Sequence, residues 1–332
     1  MSLKGSKATN KRICTSCCPT TGRNLGQSLT NNTSRLIIQA YPDGFVGRIQ
    51  LFRGAKFLYH IQDLQIEAAR DLCLIKSERV ISGLFRMEKF ILKNADYIST
   101  ISEGMAAKVR KKADKKIYLL ANWVDTKLFK PLIHKNILKE EFGFKPDDKV
   151  VLYSGAMGEK QGLEMILHLA KALQHLPQLK FLICGSGPYS KNLISMTHQF
   201  GLTNVEFLPL QPVGRFNRIL NMADLHLVLQ KSQATDLVMP SRLTTILAVG
   251  GLVLVTANEK SELYKMVTAH KIGIAIAPDN LYELISGVQR GIEGDWSEVT
   301  NNARKYAEEF LSIDGILHSY EMQVLIEDLK NS

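Results

Sequence analysis

From residue 150 onward the chain repeats one pattern: a short apolar run, a segment with helical spacing, then another apolar run. The runs are Val150–Tyr153, Phe181–Cys184, Val205–Leu208, Leu225–Leu229, Leu252–Thr256 and Ile272–Ile276. They are continuous rather than alternating, which fits strands buried on both faces. Between the first two, Leu163, Ile166, Leu169, Ala170 and Leu173 fall on one helical face, with Pro177 just beyond. Strand–helix alternation of this kind predicts a parallel sheet covered by helices on both sides, and six strands make a complete doubly wound domain.

The first half is thinner. Strands are expected at Leu36–Gln39, Lys56–Ile61, Tyr97–Ile101 and Ile117–Leu120, and helices at Arg79–Asn94 and Ser102–Lys112, with Ser102 as N-cap. Residues 1–34 are rich in Ser, Thr, Asn, Lys and Gly without periodicity, and are expected to be disordered or non-native. Four strands are few for a doubly wound domain, so this half is expected to lack its beginning. The expected organisation is a leader over 1–34, an incomplete Rossmann-like domain over 35–131, a complete one over 132–310 with its connection at Leu132–Asp148, and a final helix over 311–332 returning toward the first domain.

A chain of 332 residues fits two domains, and 45% hydrophobic residues supply their cores. The longest apolar stretch, Thr245–Ala257, is short and glycine-interrupted, below the ~18–20 residues of a membrane-spanning helix. Cys73 and Cys184 sit in apolar runs as reduced core residues, which suits a reducing cytosol. Cys14, Cys17 and Cys18 form one CxxC without a second pair or a nearby His, so no metal site is assigned.

Three loops carry chemistry. Val150–Tyr153 runs into Ser154-Gly155-Ala156-Met157-Gly158-Glu159-Lys160-Gln161-Gly162 and then a helix. Glycines such as Gly155 and Gly158 let backbone approach a ligand, a helix start favours an anion, and Lys160 adds charge; an ordinary strand–helix turn would look much the same. Cys184-Gly185-Ser186-Gly187-Pro188 resembles the start of a dinucleotide fingerprint, but Ser190 stands in the third glycine's place. As a lone GxG it reads as one wall of a crevice. In the third, Asp236 to Gly251, Pro240 suits a first helical turn, so Ser241 and Arg242 fall near a helix N-terminus where they could grip a diphosphate. Ser241 as a simple cap and Arg242 as a surface charge are the alternative. Three such loops at strand ends of one sheet favour the phosphate reading.

Together these segments resemble the retaining glycosyltransferases of the GT-B fold, family 4, and among them the colanic-acid type of bacterial exopolysaccharide synthesis. Beside the three loops, the resemblance rests on Asn204–Leu208, Met222–Leu225, Ser261–Leu263, His60-Ile61-Gln62-Asp63-Leu64, and Asn122-Trp123-Val124-Asp125 with Phe129 and Pro131; it covers about residues 54–330.

The resemblance implies a two-domain cytoplasmic enzyme moving a sugar, with retention and without a metal or other cofactor, from a nucleoside-diphosphate sugar held by the C-terminal domain. The acceptor, held by the N-terminal domain across a cleft, would be a saccharide or polyprenyl-linked intermediate. Lys160 and Arg242 would stabilise the departing diphosphate, Leu210 and Gln211 would meet the nucleobase through their backbone, and Asp63 would orient the acceptor hydroxyl or donor sugar. The chain also departs from the family pattern. Of two glutamates usual in the third segment, Asp236 stands near the first and Thr244 or Thr245 replaces the second, where a hydroxyl binds ribose less strongly than a carboxylate. Ala156 replaces a basic residue, and no glycine loop is found in residues 1–50.

Charge divides the chain. Residues 1–135 carry 24 Lys+Arg against 10 Asp+Glu, and the remainder 18 against 22. Such asymmetry points to nucleic acid or an anionic membrane, or is merely a soluble basic surface. Lys108, Arg110, Lys111, Lys112, Lys115 and Lys116 crowd one stretch; Arg79, Arg86, Lys89 and Lys93 decorate a helix that also shows Leu84, Phe85, Phe90 and Ile91. That is the pattern of an interfacial helix, and a peripheral position on the inner face of the cytoplasmic membrane is expected. Aromatics are not interleaved with these charges, so nucleic acid is set aside. Two functions stay open: an active transferase, and a catalytically impaired nucleotide-binding remnant. A dehydrogenase is disfavoured, because no complete GxGxxG is followed by an acidic residue after the next strand.

Overall fold

The computed structural model describes residues 36–39, 56–64, 66, 67, 70, 75, 77–230 and 240–330, with side chains left aside at 36–39, 56, 160, 321 and 324–330. The leader, the CxxC cluster and Asp236 lie outside these residues. The chain divides into two compact units: residues to Ala121 together with Leu317 onward, and Asn122–Ile316.

In the first unit β1 (Leu36–Gln39), β2 (Lys56–Ile61), β3 (Tyr97–Thr100) and β4 (Ile117–Leu119) pair in parallel in sequence order. Helix α1 (Glu78–Asn94) precedes β3, and α2 (Glu103–Arg110) follows it. Ser102 caps α2 by accepting from the Met105 N–H at 3.3 Å. The basic stretch after α2 is partly consumed inside the unit. Lys112 bridges Glu67 and Glu88, Arg110 pairs with Glu103, and Lys115 donates to the Lys93 and Ala95 carbonyls, closing the C-terminal end of α1. Burial pushes the Glu88 carboxyl up, and Lys112 opposes that rise.

The second unit is the doubly wound domain. After α3 (Lys135–Glu141), six strands alternate with helices: β5 (Lys149–Ala156), α4 (Glu164–Ala172), β6 (Leu179–Ser186), α5 (Ser190–Gln199), β7 (Val205–Leu208), α6 (Val213–Met222) and β8 (Leu225–Val228). Then come α7 (Arg242–Ala248), β9 (Val253–Thr256), α8 (Glu262–Ala269), β10 (Ile274–Ile276), α9 (Leu281–Glu293) and α10 (Ser297–Phe310). The strand order is β10-β9-β8-β5-β6-β7, all parallel. Side chains alternate along each strand, as the pleat requires. Val150, Leu152 and Leu182 join α3, α6, α7, α8 and α10 in one core; Val151, Tyr153 and Phe181 join α4, α5 and α9 in the other.

The last two helices, α10 (Ser297–Phe310) and α11 (Ile313–Lys330), are separated at Leu311–Ser312. There the chain pairs with Val124: the Val124 N–H donates to the Leu311 carbonyl at 2.8 Å and the Ile313 N–H to the Val124 carbonyl at 3.1 Å. Helix α11 (Ile313–Lys330) then carries the chain into the first unit, where Tyr320 is buried with its ring edge-on to Tyr118, centroids 6.2 Å apart. Residues 122–131 group with the second unit, N-terminal to the boundary expected at 131. Arg304 on α10 explains this: its guanidinium donates to the Phe129 and Thr126 carbonyls and to that of Ala248 at the end of α7.

Candidate functional site at the carboxyl edge of the second sheet

Strand β5 lies between β6 and β8, where the strand order reverses. Helix α4, after β5, packs on one face of the sheet and α7, after β8, on the other; where connections diverge in this way, open parallel sheets bind ligands at the strand ends. The first two loops singled out from sequence, and Pro240–Gly251 of the third, are at this edge or in the helix that leads from it.

The loop after β5 is fixed by Tyr153, which is fully buried and donates its hydroxyl to the Ala156 carbonyl at 2.7 Å. Gly158 and Lys160 lie at the start and middle of a 3-10 turn, Glu159–Gln161, ended by Gly162 in the left-handed region at φ 64°. Gly158 itself has φ −114°, and a Cβ there would meet only the movable tip of Gln161.

Gly185 and Gly187 bring two loops into close backbone contact. Gly185 pairs in register with Gly155, and a Cβ on Gly185 would lie 1.9 Å from the Gly155 carbonyl oxygen. A Cβ on Gly187 would lie 2.2 Å from that of Met157. Backbone hydrogen bonds lace the two loops: Met157 N–H to the Ser186 carbonyl at 2.8 Å, and Tyr189 N–H to the Met157 carbonyl at 3.1 Å. The Tyr189 hydroxyl donates to Glu164 Oε1 at 2.7 Å, and this bond to a carboxylate pushes the phenol up to about 12. These glycines thus pack one loop against the other.

Arg242 opens α7 and reaches over the end of β5. Its guanidinium carbon lies 4.7 Å from the centroid of the Tyr153 ring, and Nη1 comes within 3.1 Å of where a Cβ on Gly155 would sit. Nη1 is buried without a hydrogen-bond partner among the described residues, as are Ser154 Oγ in β5 and Gln161 Oε1 in the turn that follows it. Because α7 spans only seven residues, the guanidinium is the main source of positive charge there rather than a helix dipole. Ser241 holds the N-cap position and is exposed, and its side chain makes no cap hydrogen bond. The Thr244 and Thr245 hydroxyls donate to the Ser241 and Arg242 carbonyls at 2.8 and 2.9 Å, which leaves them acceptors only. Leu210, 68% exposed, and Gln211 follow β7 at the same sheet edge, two strands from β5, with Gln211 Nε2 donating to the Pro209 carbonyl at 2.9 Å.

Asp63 belongs to the first unit, half-buried just past the end of β2 and anchored in sequence by the buried Leu64. His60, quoted above only within the segment that carries the resemblance, has Nδ1 2.9 Å from Ser99 Oγ and a buried Nε2 without a hydrogen-bond partner among the described residues. Burial drives this imidazole down to about 4, so it is neutral at neutral pH. On α1, Phe90 is exposed as expected, but Leu84, Phe85 and Ile91 are half-buried. Phe85 carries the Lys112 ammonium 5.3 Å and the Arg70 guanidinium 5.9 Å from its ring centroid. The other exposed apolar residues are Val80 and Met87.

Comparison with known proteins agrees with this architecture. Residues 134–310 match the family described as glycosyl transferases group 1. The chain is 34% identical over 275 residues to the putative colanic acid biosynthesis glycosyl transferase WcaI of Escherichia coli, covering 80% of this chain and 67% of that one. It is 21% identical over 254 residues to an uncharacterized glycosyltransferase of Methanocaldococcus jannaschii, covering 70% of this chain and 63% of the other. Among solved structures it resembles sucrose-phosphate synthase from Thermosynechococcus elongatus, with TM-score 0.74, 19% identity, and 92% of this chain and 76% of that chain covered. It also resembles Anabaena HepE in complex with UDP-glucose, with TM-score 0.71, 15% identity, and 87% and 78% covered. At these identities the structural likenesses speak for the fold, GT-B, while the family match and the WcaI relative establish kinship: the chain belongs to the group 1 glycosyltransferases and is a transferase of that family.

Proposed function

We propose that the crevice at the carboxyl edge of the second sheet holds a nucleoside-diphosphate sugar. The observation that carries this reading is Arg242: a guanidinium over Tyr153, at the strand switch point, with one nitrogen buried and unmatched by any described acceptor. A buried donor without a partner costs about 1–3 kcal/mol, which an anionic ligand would recover. Arg242 and Lys160 together would stabilise the diphosphate as it departs, Thr244 or Thr245 would accept from ribose, Asp236 would add a carboxylate, and Leu210 and Gln211 would border the base. Asp63 would orient the acceptor hydroxyl, and transfer would proceed with retention. HepE was crystallised with UDP-glucose and WcaI is named for colanic acid biosynthesis, which supports UDP as first probe and a saccharide or polyprenyl-linked acceptor of exopolysaccharide synthesis. Isothermal titration of UDP, GDP and ADP tests the site. Arg242→Ala should weaken the nucleotide that binds by ten- to a hundredfold, the loss of one charge-assisted contact of about 1.5–3 kcal/mol. An unchanged Kd would place the phosphates elsewhere.

A second part of the proposal concerns the acceptor side. Among the described residues no helix is long and apolar enough to cross a membrane. Helix α1, however, exposes Val80, Met87 and Phe90 beside Arg79, Arg86, Lys89 and Lys93. An apolar strip flanked by cations fits the headgroup region of an anionic bilayer, where a lipid-linked acceptor would be met.

A further inference from the structure

Arg242 raises a physical question of its own: what holds a guanidinium in place without neutralising it? The usual support for a partly buried arginine is a carboxylate, which fixes the fork but cancels its charge and occupies its donors. Among the described residues no carboxylate pairs with Arg242. The nearest support is an aromatic face, the Tyr153 ring, 4.7 Å from the guanidinium carbon. A ring quadrupole attracts a cation while leaving its net charge and its in-plane N–H groups available. The ring is itself immobilised, being fully buried in the core beneath α4 and tied through its hydroxyl to the Ala156 carbonyl. It also sits across the strand from its client, since α7 packs on the opposite face of the sheet. Arg242 must therefore fold over the end of β5, where Gly155 leaves room that a Cβ would take, 3.1 Å from Nη1. Burial pushes the Tyr153 phenol up, while the adjacent guanidinium opposes the rise by its charge and by a side-chain hydrogen bond, so the hydroxyl edge as well as the ring face meets Arg242.

We propose that Tyr153 is a positioning residue that holds the Arg242 guanidinium over the end of β5 by its ring face, so that the arginine meets a diphosphate at full charge. This rests on the reading of Arg242 as the phosphate ligand, and the test separates the two. UDP and uridine binding are measured by isothermal titration for Tyr153→Phe, Tyr153→Leu, Arg242→Ala and the double variant Tyr153→Leu/Arg242→Ala. Tyr153→Leu should weaken UDP about 5- to 30-fold, the range of a desolvated cation–π contact, leave uridine unchanged, and add nothing once Arg242 is gone. Tyr153→Phe, which keeps the face, should stay within about threefold of the parent. Replacing Tyr153 by 3,5-difluorophenylalanine, which drains the ring quadrupole at nearly constant shape, should weaken UDP relative to Tyr153→Phe, and this arm stands even where the leucine variant does not fold. Equal UDP affinity of the phenylalanine and difluorophenylalanine proteins, or full additivity in the double variant, overturns the proposal. Unchanged UDP affinity in Arg242→Ala would instead remove the reading beneath it.

Discussion

Replacing Gly185 by alanine tests whether the second glycine loop serves the ligand or its neighbour. The added methyl would stand 1.9 Å from the Gly155 carbonyl oxygen, and contacts under 3.0 Å are not sustained by real Cβ atoms. The obstacle is backbone on both sides, so β5 and β6 must part by about 1 Å at their ends. That parting breaks or stretches the Met157-to-Ser186 and Tyr189-to-Met157 hydrogen bonds, each worth about 1 kcal/mol net. Overpacking adds about 1–3 kcal/mol, and φ 156° adds strain for an L-residue. With strain of about 1–3 kcal/mol the total is a loss of about 4–8 kcal/mol, a large part of a stability of about 5–15 kcal/mol. Urea unfolding followed by far-ultraviolet circular dichroism, at fixed m-value, reads it directly. Gly187→Ala, with its contact to the Met157 carbonyl, should behave alike. A glycine kept only for access to a ligand would give the opposite result: unfolding free energy within about 0.5 kcal/mol of the parent and UDP binding abolished. That outcome would refute the loop-packing argument.

Acid should destabilise the protein well above the carboxylate range. Burial holds His60 near 4 and His226 near 3, against about 6.5 in an unfolded chain. The unfolded state thus binds more protons below pH 6.5, so this stability is complete above that pH and lost as pH falls toward 4, by about 1.4 kcal/mol per unit for each histidine. Urea midpoints at pH 7, 6 and 5 should decline, with a shallower slope in His226→Phe; a flat profile over that window would show that neither ring is held neutral. For helix α1, flotation with vesicles should recover more protein on phosphatidylglycerol than on phosphatidylcholine, with Phe90→Ser and Lys89→Glu/Lys93→Glu each reducing recovery. Equal recovery on both vesicle types in low salt would dispose of the membrane proposal.

The alternation that defines the second unit was legible because burial on both faces demands continuous apolar strands, and that demand is local. Val150–Tyr153, all four residues buried, lie within β5 as their unbroken apolarity marks, and Ser102 caps α2 because a hydroxyl three residues from a free N–H needs no distant partner. Arg242 and the glycine loops could be picked out because they follow strands, and strand ends in a parallel sheet share one edge. What they do there depended on neighbours far along the chain. Gly185 is required by the Gly155 carbonyl across the strand pair, and nothing in the order Gly-Ser-Gly encodes that approach. Leu84, Phe85 and Ile91 turn inward while Val80 and Met87 turn out, since which stripe of a mostly apolar helix is buried is set by what lies beneath it. The break at Leu311–Ser312 likewise comes from Val124, far away in sequence. Sequence alone thus determined which segments become strands and helices and which loops meet, because those follow from local periodicity and from one topological rule. Only the tertiary structure decided that the Arg242 guanidinium would lie over the Tyr153 ring, with no carboxylate partner among the described residues, because an aromatic face acts through space on whatever the fold brings above it.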